Sequence, residues 1–500
     1  MVSYLSIRDG SGSASDSSRG RSRHSRRGLK PNTYAGTASW LSSVINLVNT
    51  IVGAGTLAMG LAMSHMGILL GTLVILWSGL TAAFGLYLQS RCARYLDRGT
   101  SSFFALSQIT YPNAAVIFDA AIAIKCFGVG VSYLIIIGDL MPGVVLGFNE
   151  NAALTPFLVN RHFWVTVFML VVIPLSFLRR LDSLKYTSVI ALISIGYLVI
   201  LVVYHFAKGD TMADRGVIRV VQWASLVDVL KSFPVIVFAY TCHQNMFSIL
   251  NEIQNNAPHR TTSLIATSIG SAAFIYVLVG ITGYLSFGNS IAGNIVGMYI
   301  PSIASTIGKA AIVILVMFSY PLQVHPCRAS VDAVLKWRPQ TFKANGGSPS
   351  SSPSRLALLS SSTARPVARN DSISDLRFAL ITTVIIVLSY ITAMTVSSLD
   401  KVLAYVGSTG STSISFILPG LFYYKISDPD SIHHQQLIKD DDGDSDSGDD
   451  EEGRVGHGSS KSSTWQKTIL RKLSLALAIY GLFVMIVCLA TNIIFSATAH

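Results

Sequence analysis

Long apolar blocks separated by short polar segments set the pattern of this chain. Eleven blocks run approximately 40–63, 67–90, 114–142, 162–178, 184–206, 226–250, 262–286, 304–327, 375–396, 402–424 and 468–495. A helix of about 20 residues crosses a hydrocarbon core of about 30 Å, and the blocks have that scale. Apolar residues within a block are contiguous rather than alternating, which excludes barrel strands. The pattern predicts an all-α integral membrane protein of about 11 transmembrane helices.

The polar remainder divides the chain further. Residues 39–336 hold the first eight expected helices, 375–425 the ninth and tenth, and 467–500 the eleventh. Residues 1–38 form a Ser-, Gly- and Arg-rich arm with no apolar run suited to a signal peptide. Residues 337–374 are Ser- and Pro-rich, and 426–466 carry an acidic run from Asp440 to Glu452. All three lack the apolar surface to fold, so a disordered basic arm and two disordered cytoplasmic loops are expected. The arm suits contact with anionic membrane lipid, or acts simply as a topology determinant. The acidic run lacks EF-hand spacing and reads as a solvated tether.

Composition sharpens this picture. Hydrophobic residues make up 51% of the 500 residues and charged ones 13%, against about a quarter charged in soluble domains. A net charge of +11 invites a nucleic-acid reading, which its distribution removes. With the N-terminus in the cytoplasm, 29 Lys and Arg fall on cytoplasmic segments, about 5 on the opposite side and three in or beside helices. That asymmetry is the signature of membrane orientation. The sequon Asn370-Asp371-Ser372 falls on the cytoplasmic side. Five scattered cysteines show no metal-binding spacing and read as small buried residues, so neither a metal nor a cofactor is expected. The oligomeric state is left open.

Candidate chemistry lies where the helices are interrupted. In lipid, non-helical backbone is tolerated only where it is buried in protein or lines a cavity. The first block contains Asn49-Thr50-Ile51-Val52-Gly53-Ala54-Gly55-Thr56 near its middle. Unwinding at the glycines frees amides suited to a carboxylate and carbonyls suited to a cation. The alternative is close helix packing through small residues. The sixth block holds Tyr240-Thr241-Cys242-His243-Gln244-Asn245, a polar cluster without glycine. Blocks one and six open two consecutive sets of five helices, and paired interruptions mark the site of inverted-repeat transporters. His243 is the near-neutral titrator there, able to carry a coupling proton or simply to serve as a satisfied histidine. In block eight, Ser319 precedes Pro321 and Pro326. Asp119 and Lys125 sit in block three, six residues apart. A structural role is expected for both, with Lys125 the one nearby cation that suits an acidic substrate; the lack of an arginine or lysine beside the breaks favours neutral ones. Asp119 and Asp139 are too far apart along one helix for a catalytic dyad, and no channel-filter motif occurs, so an enzyme and a channel are disfavoured.

The stretch from Val44 to Leu57, and the cluster at 240–245 followed by Asn251-Glu252, resemble the first and sixth helices of the amino acid/auxin permease family. The sixth-helix likeness is to its fungal vacuolar branch, which is related to the sodium-coupled neutral amino acid transporters. The resemblance implies a LeuT-like 5+5 inverted repeat plus one helix, alternating access and amino-acid substrates. It implies substrate contacts from Thr50, Gly53, Ala54, Gly55, Thr56, Tyr240 and Thr241, and ion coupling through Asn49, Ser319 and His243. The coupling ion is a proton or sodium. A proton-driven secondary transporter of the vacuolar membrane is the expectation. The alternatives are a membrane amino-acid sensor using the same pocket and a sodium-coupled transporter of the plasma membrane.

Overall fold

The computed structural model describes residues 36–178, 187–336, 374–431, 435 and 459–497. The acidic run, the sequon and nearly all of the arm and of the loop 337–374 lie outside the described residues. Every apolar block contains a helix. Block one is two helices, α1 (Trp40–Ile51) and α2 (Ala54–Met66), bent by 54° at the break between them. Next come α3 (Ile68–Ala93), the short α4 (Phe103–Thr110), α5 (Ala115–Phe148), α6 (Arg161–Ser176) and α7 (Thr187–Lys208). Block six divides into α8 (Leu226–Ala239) and α9 (His243–Glu252), followed by α10 (Pro258–Phe287), the four-residue α11 (Ile295–Met298) and α12 (Ile303–Lys336). The ninth block is α13 (Asp375–Thr395).

Block ten departs from a regular helix. Here α14 (Leu399–Val406) runs through a π-helical stretch, 407–417, into α15 (Leu418–Ile426). The last helix, α16 (Ser459–Ala497), begins inside the segment expected to be a loop. Among the described residues, eight helices, or nine with the bent pair, are long and apolar enough to cross a membrane. Residues Arg161–Ser176 form a shorter apolar helix, and the tenth block reaches spanning length as a continuous run through its π stretch. The one β-bridge among the described residues pairs Ala38 with Ile253.

Two sets of five emerge from this order. The third member of each set, α5 and α12, is 34 residues long, and the two pack along each other at the centre. Burial follows: 67% of the α5 window is buried, against 33% for α16 at the periphery. Leu69, Leu73, Leu76 and Leu80 recur at three- and four-residue spacing and stay exposed, the stripe a lipid-facing helix needs. Pro321 and Pro326 lie within α12 without ending it, although each lacks the N–H that would bond the carbonyl four residues earlier. All five cysteines are buried and free. Asp139 sits 3.6 Å from Arg161, at the far end of α5.

Candidate functional site

The break in block one begins with a stop. The last helical bond of α1 is from the Val52 amide to the Val48 carbonyl at 2.8 Å. Val52 is extended, and Gly53 caps α2 with no side-chain hydrogen bond to its first amides. The N-terminal amides of α2 are therefore donors without a cap, at the positive end of a helix. In block six, glycine is replaced by a hydroxyl device. Thr241 donates to the Val237 carbonyl at 2.9 Å, in competition with the main chain, and Tyr240, Thr241 and Cys242 leave the helix.

The two breaks are joined directly. The Asn245 amide donates to Thr50 Oγ1 at 3.1 Å, and Thr50 Oγ1 donates to the Asn46 carbonyl at 2.9 Å. The Tyr276 hydroxyl, fully buried on α10, lies 2.7 Å from both the Ile51 and the Ala239 carbonyl oxygens. It therefore ties together the ends of the two half-helices. Gly55 allows their contact: a Cβ there would stand 2.6 Å from the Ala239 Cβ.

A cavity of about 630 Å³ lies at these breaks, walled by α1, α2, α5, α7, α8, α9 and α12. Asn46 and Glu252, both exposed, line it at one end, while Phe238, Val129 and Gly55 at the other are buried. Access is from the side that carries the start of the first span.

The residues singled out in the sequence divide cleanly. Asn49, Thr50, Gly53, Ala54, Gly55, Thr241 and Ser319 all line the cavity. Thr56, Tyr240 and His243 do not: each is buried in packing behind the breaks. The Tyr240 ring meets Tyr276 edge-on at 5.1 Å. His243 Nε2 lies 3.1 Å from the Ala82 carbonyl, so that nitrogen carries the proton, and Gln89 donates to the His243 carbonyl at 2.9 Å. Asn49 Oδ1 and Gln244 Oε1 are buried acceptors without a hydrogen-bond partner. The Ser319 hydroxyl donates to Leu315 at 2.8 Å, which leaves its lone pairs available.

Sequence reading missed two features. Tyr276 looks like any tyrosine in an apolar helix, and nothing local marks it. The π stretch did have a signal, the run Gly407-Ser408-Thr409-Gly410-Ser411-Thr412-Ser413 inside an apolar block. It packs against the block-six break, with a Cβ on Gly407 overlapping the Pro234 carbonyl and Ser415 Oγ 3.4 Å from Thr241 Oγ1.

The family described as transmembrane amino acid transporter protein matches residues 36–441. The chain belongs to that family. It is 42% identical over 465 residues to vacuolar amino acid transporter 5 of Schizosaccharomyces pombe, covering 92% of this chain and 96% of the relative. It is also 42% identical over 408 residues to vacuolar amino acid transporter 6 of Saccharomyces cerevisiae, covering 78% and 90%. Among solved structures it is similar to MhsT in complex with L-phenylalanine, at a TM-score of 0.53 and 12% identity, covering 91% of this chain and 99% of the other. Mhp1 in its inward-facing conformation gives 0.52 and 11%, covering 93% and 92%. Those likenesses fix the LeuT-like fold. The chain is an amino-acid transporter and not an enzyme.

The Asn245–Thr50 link is testable as a unit. In a double-mutant cycle on substrate binding, Asn245→Ala and Thr50→Val are expected to couple by about 1 kcal/mol, the scale of one neutral hydrogen bond. Additive effects would show that the two breaks act independently.

Proposed function

We propose that this transporter carries amino acids across the vacuolar membrane by proton-coupled alternating access. The observation that carries the reading is a cavity at two paired helix breaks, lined by exposed residues at one end only. The substrate's carboxylate meets the uncapped amides of Gly53, Ala54 and Gly55, where the α2 dipole favours an anion. Its ammonium faces the carbonyls that the ends of α1 and α8 leave free, with Thr50 and Thr241 on the wall. Closure requires the two breaks to move together, and the Asn245–Thr50 and Tyr276 links supply that connection.

The membrane assignment is supported by the vacuolar names of the relatives. A vacuolar lumen is acid, so a proton gradient is the available driving force. Asn49 and Ser319, on one cavity wall system, offer neutral oxygens to the coupling ion. His243 takes part only by giving up its bond to Ala82. With the N-terminus cytoplasmic, the cavity faces the cytosol.

Uptake of a labelled amino-acid panel into proteoliposomes under imposed pH or sodium gradients tests this reading. Flux driven by the pH gradient and indifferent to sodium is expected. Sodium dependence would replace the coupling ion, and saturable binding without flux would make the protein a sensor. Asn49→Ala is expected to weaken ion dependence while leaving folding intact, because the lost Oδ1 accepts no protein hydrogen bond. Unchanged ion dependence would remove Asn49 from the coupling site.

A further inference from the structure

One charged side chain of the cavity takes no part in the scheme above. Lys125 lies on α5, the most buried of the candidate spans, and only 4% of its surface is exposed. It nevertheless lines the cavity together with Asn49, Tyr133, Gln244 and Gln323. Among the described residues it makes no ion pair and no hydrogen bond. Glu252, the other charged residue on the wall, is exposed at the mouth and does not pair with it. The stem of Lys125 is held from behind. The π stretch approaches so closely that a Cβ on Gly410 would stand 2.8 Å from the Lys125 Cβ. With that face closed, the ammonium is left the cavity.

An ammonium buried at membrane depth without a counter-charge is costly, and such residues mark substrate or ion pathways. Here the compensating anion has to come from the cargo. The α-carboxylate is already met by the uncapped amides of α2, which leaves a second negative group for Lys125. We infer that Lys125 selects amino acids with an acidic side chain, aspartate and glutamate, by pairing with the side-chain carboxylate. This inference rests on the transport reading and narrows its substrate class. A glutamate side chain, with an ordinary pKa of about 4.3, remains largely anionic in a mildly acid lumen. Glutamine has the same shape and no charge, and would leave the ammonium unpaired. Sites built to satisfy a buried polar group discriminate strongly against analogues that cannot do so.

The experiment compares labelled L-glutamate, L-aspartate and L-glutamine in uptake into proteoliposomes and in equilibrium binding to the purified protein. Wild type, Lys125→Gln and Lys125→Arg are run side by side. Acidic substrates are expected to be preferred by wild type. In Lys125→Gln, glutamate uptake and binding should fall about 30-fold, the scale of a lost charge-assisted hydrogen bond. Glutamine handling should change by less than about threefold, and Lys125→Arg should restore part of the glutamate preference. Wild-type uptake of glutamine with no competition from acidic amino acids would overturn the inference and leave the transport reading standing. Equal loss of glutamate and glutamine in Lys125→Gln would also overturn it, placing Lys125 at the α-carboxylate or in the fold. Absence of flux for every amino acid would instead sink the transport reading, and the binding comparison would then still decide the role of Lys125.

Discussion

Gly53→Val is expected to reduce amino-acid uptake to background while the protein still folds and reaches the membrane. The reason is the space in front of Gly53. A Cβ built there meets nothing within 4 Å, because the residue faces the cavity. A valine therefore displaces no packed neighbour and instead places its two methyl groups where a substrate carboxylate has to approach the α2 amides. Gly53→Ala, with one methyl, should give an intermediate loss. Gly55→Val, two residues on, should behave in the opposite way. Its Cβ would stand 2.6 Å from the Ala239 Cβ and 2.8 Å from the Ala239 Cα, at the contact between the two broken helices. Overpacking of that kind costs about 1–3 kcal/mol, and more where backbone has to shift. The measurements are uptake per folded molecule and the thermal unfolding profile in detergent. A well-folded Gly53→Val protein that transports normally would place the substrate elsewhere, and a stable Gly55→Val protein would mean that the half-helices do not need this contact.

Tyr276→Phe is expected to impair both stability and transport. The change removes one oxygen from a fully buried site and leaves the Ile51 and Ala239 carbonyls without that donor. Leaving a buried acceptor unpaired costs about 1–3 kcal/mol, and phenylalanine supplies no replacement. Both carbonyls belong to the ends of half-helices, so the loss falls on the hinge of the site rather than on general packing. Transport per folded molecule should drop about tenfold or more if one misaligned break loses a few kcal/mol of substrate contacts. A variant that melts lower but transports normally would show Tyr276 to be only a structural tie.

These two cases also show how far the sequence can be read. Gly53 and Gly55 stand out locally, since two glycines among polar residues inside an apolar block conflict with an uninterrupted helix. The polar cluster at 240–245 announced a break in block six, although its cause, the Thr241 hydroxyl competing for the Val237 carbonyl, was not legible. Tyr276 left no trace because its role depends on two carbonyls 37 and 225 residues away. His243 and Tyr240 belong to the cluster by sequence, yet the helix turn directs them into packing behind the break.

By itself, the sequence determined that the chain crosses a membrane many times as helices, where its first and sixth spans are interrupted, and which family it resembles. These properties reside in contiguous residues: block length against bilayer thickness, backbone preference at glycine, and charge on the segments between spans. Only the tertiary structure decided which polar residues share one cavity, that the two breaks are tied through Asn245, Thr50 and Tyr276, and that Lys125 faces the cavity rather than a partner. Six positions after Asp119 on one helix, Lys125 could be placed around that helix from sequence but not against its neighbours. What it faces depends on how closely the glycine-rich π stretch of another span approaches, a contact between residues 285 positions apart that no local pattern encodes.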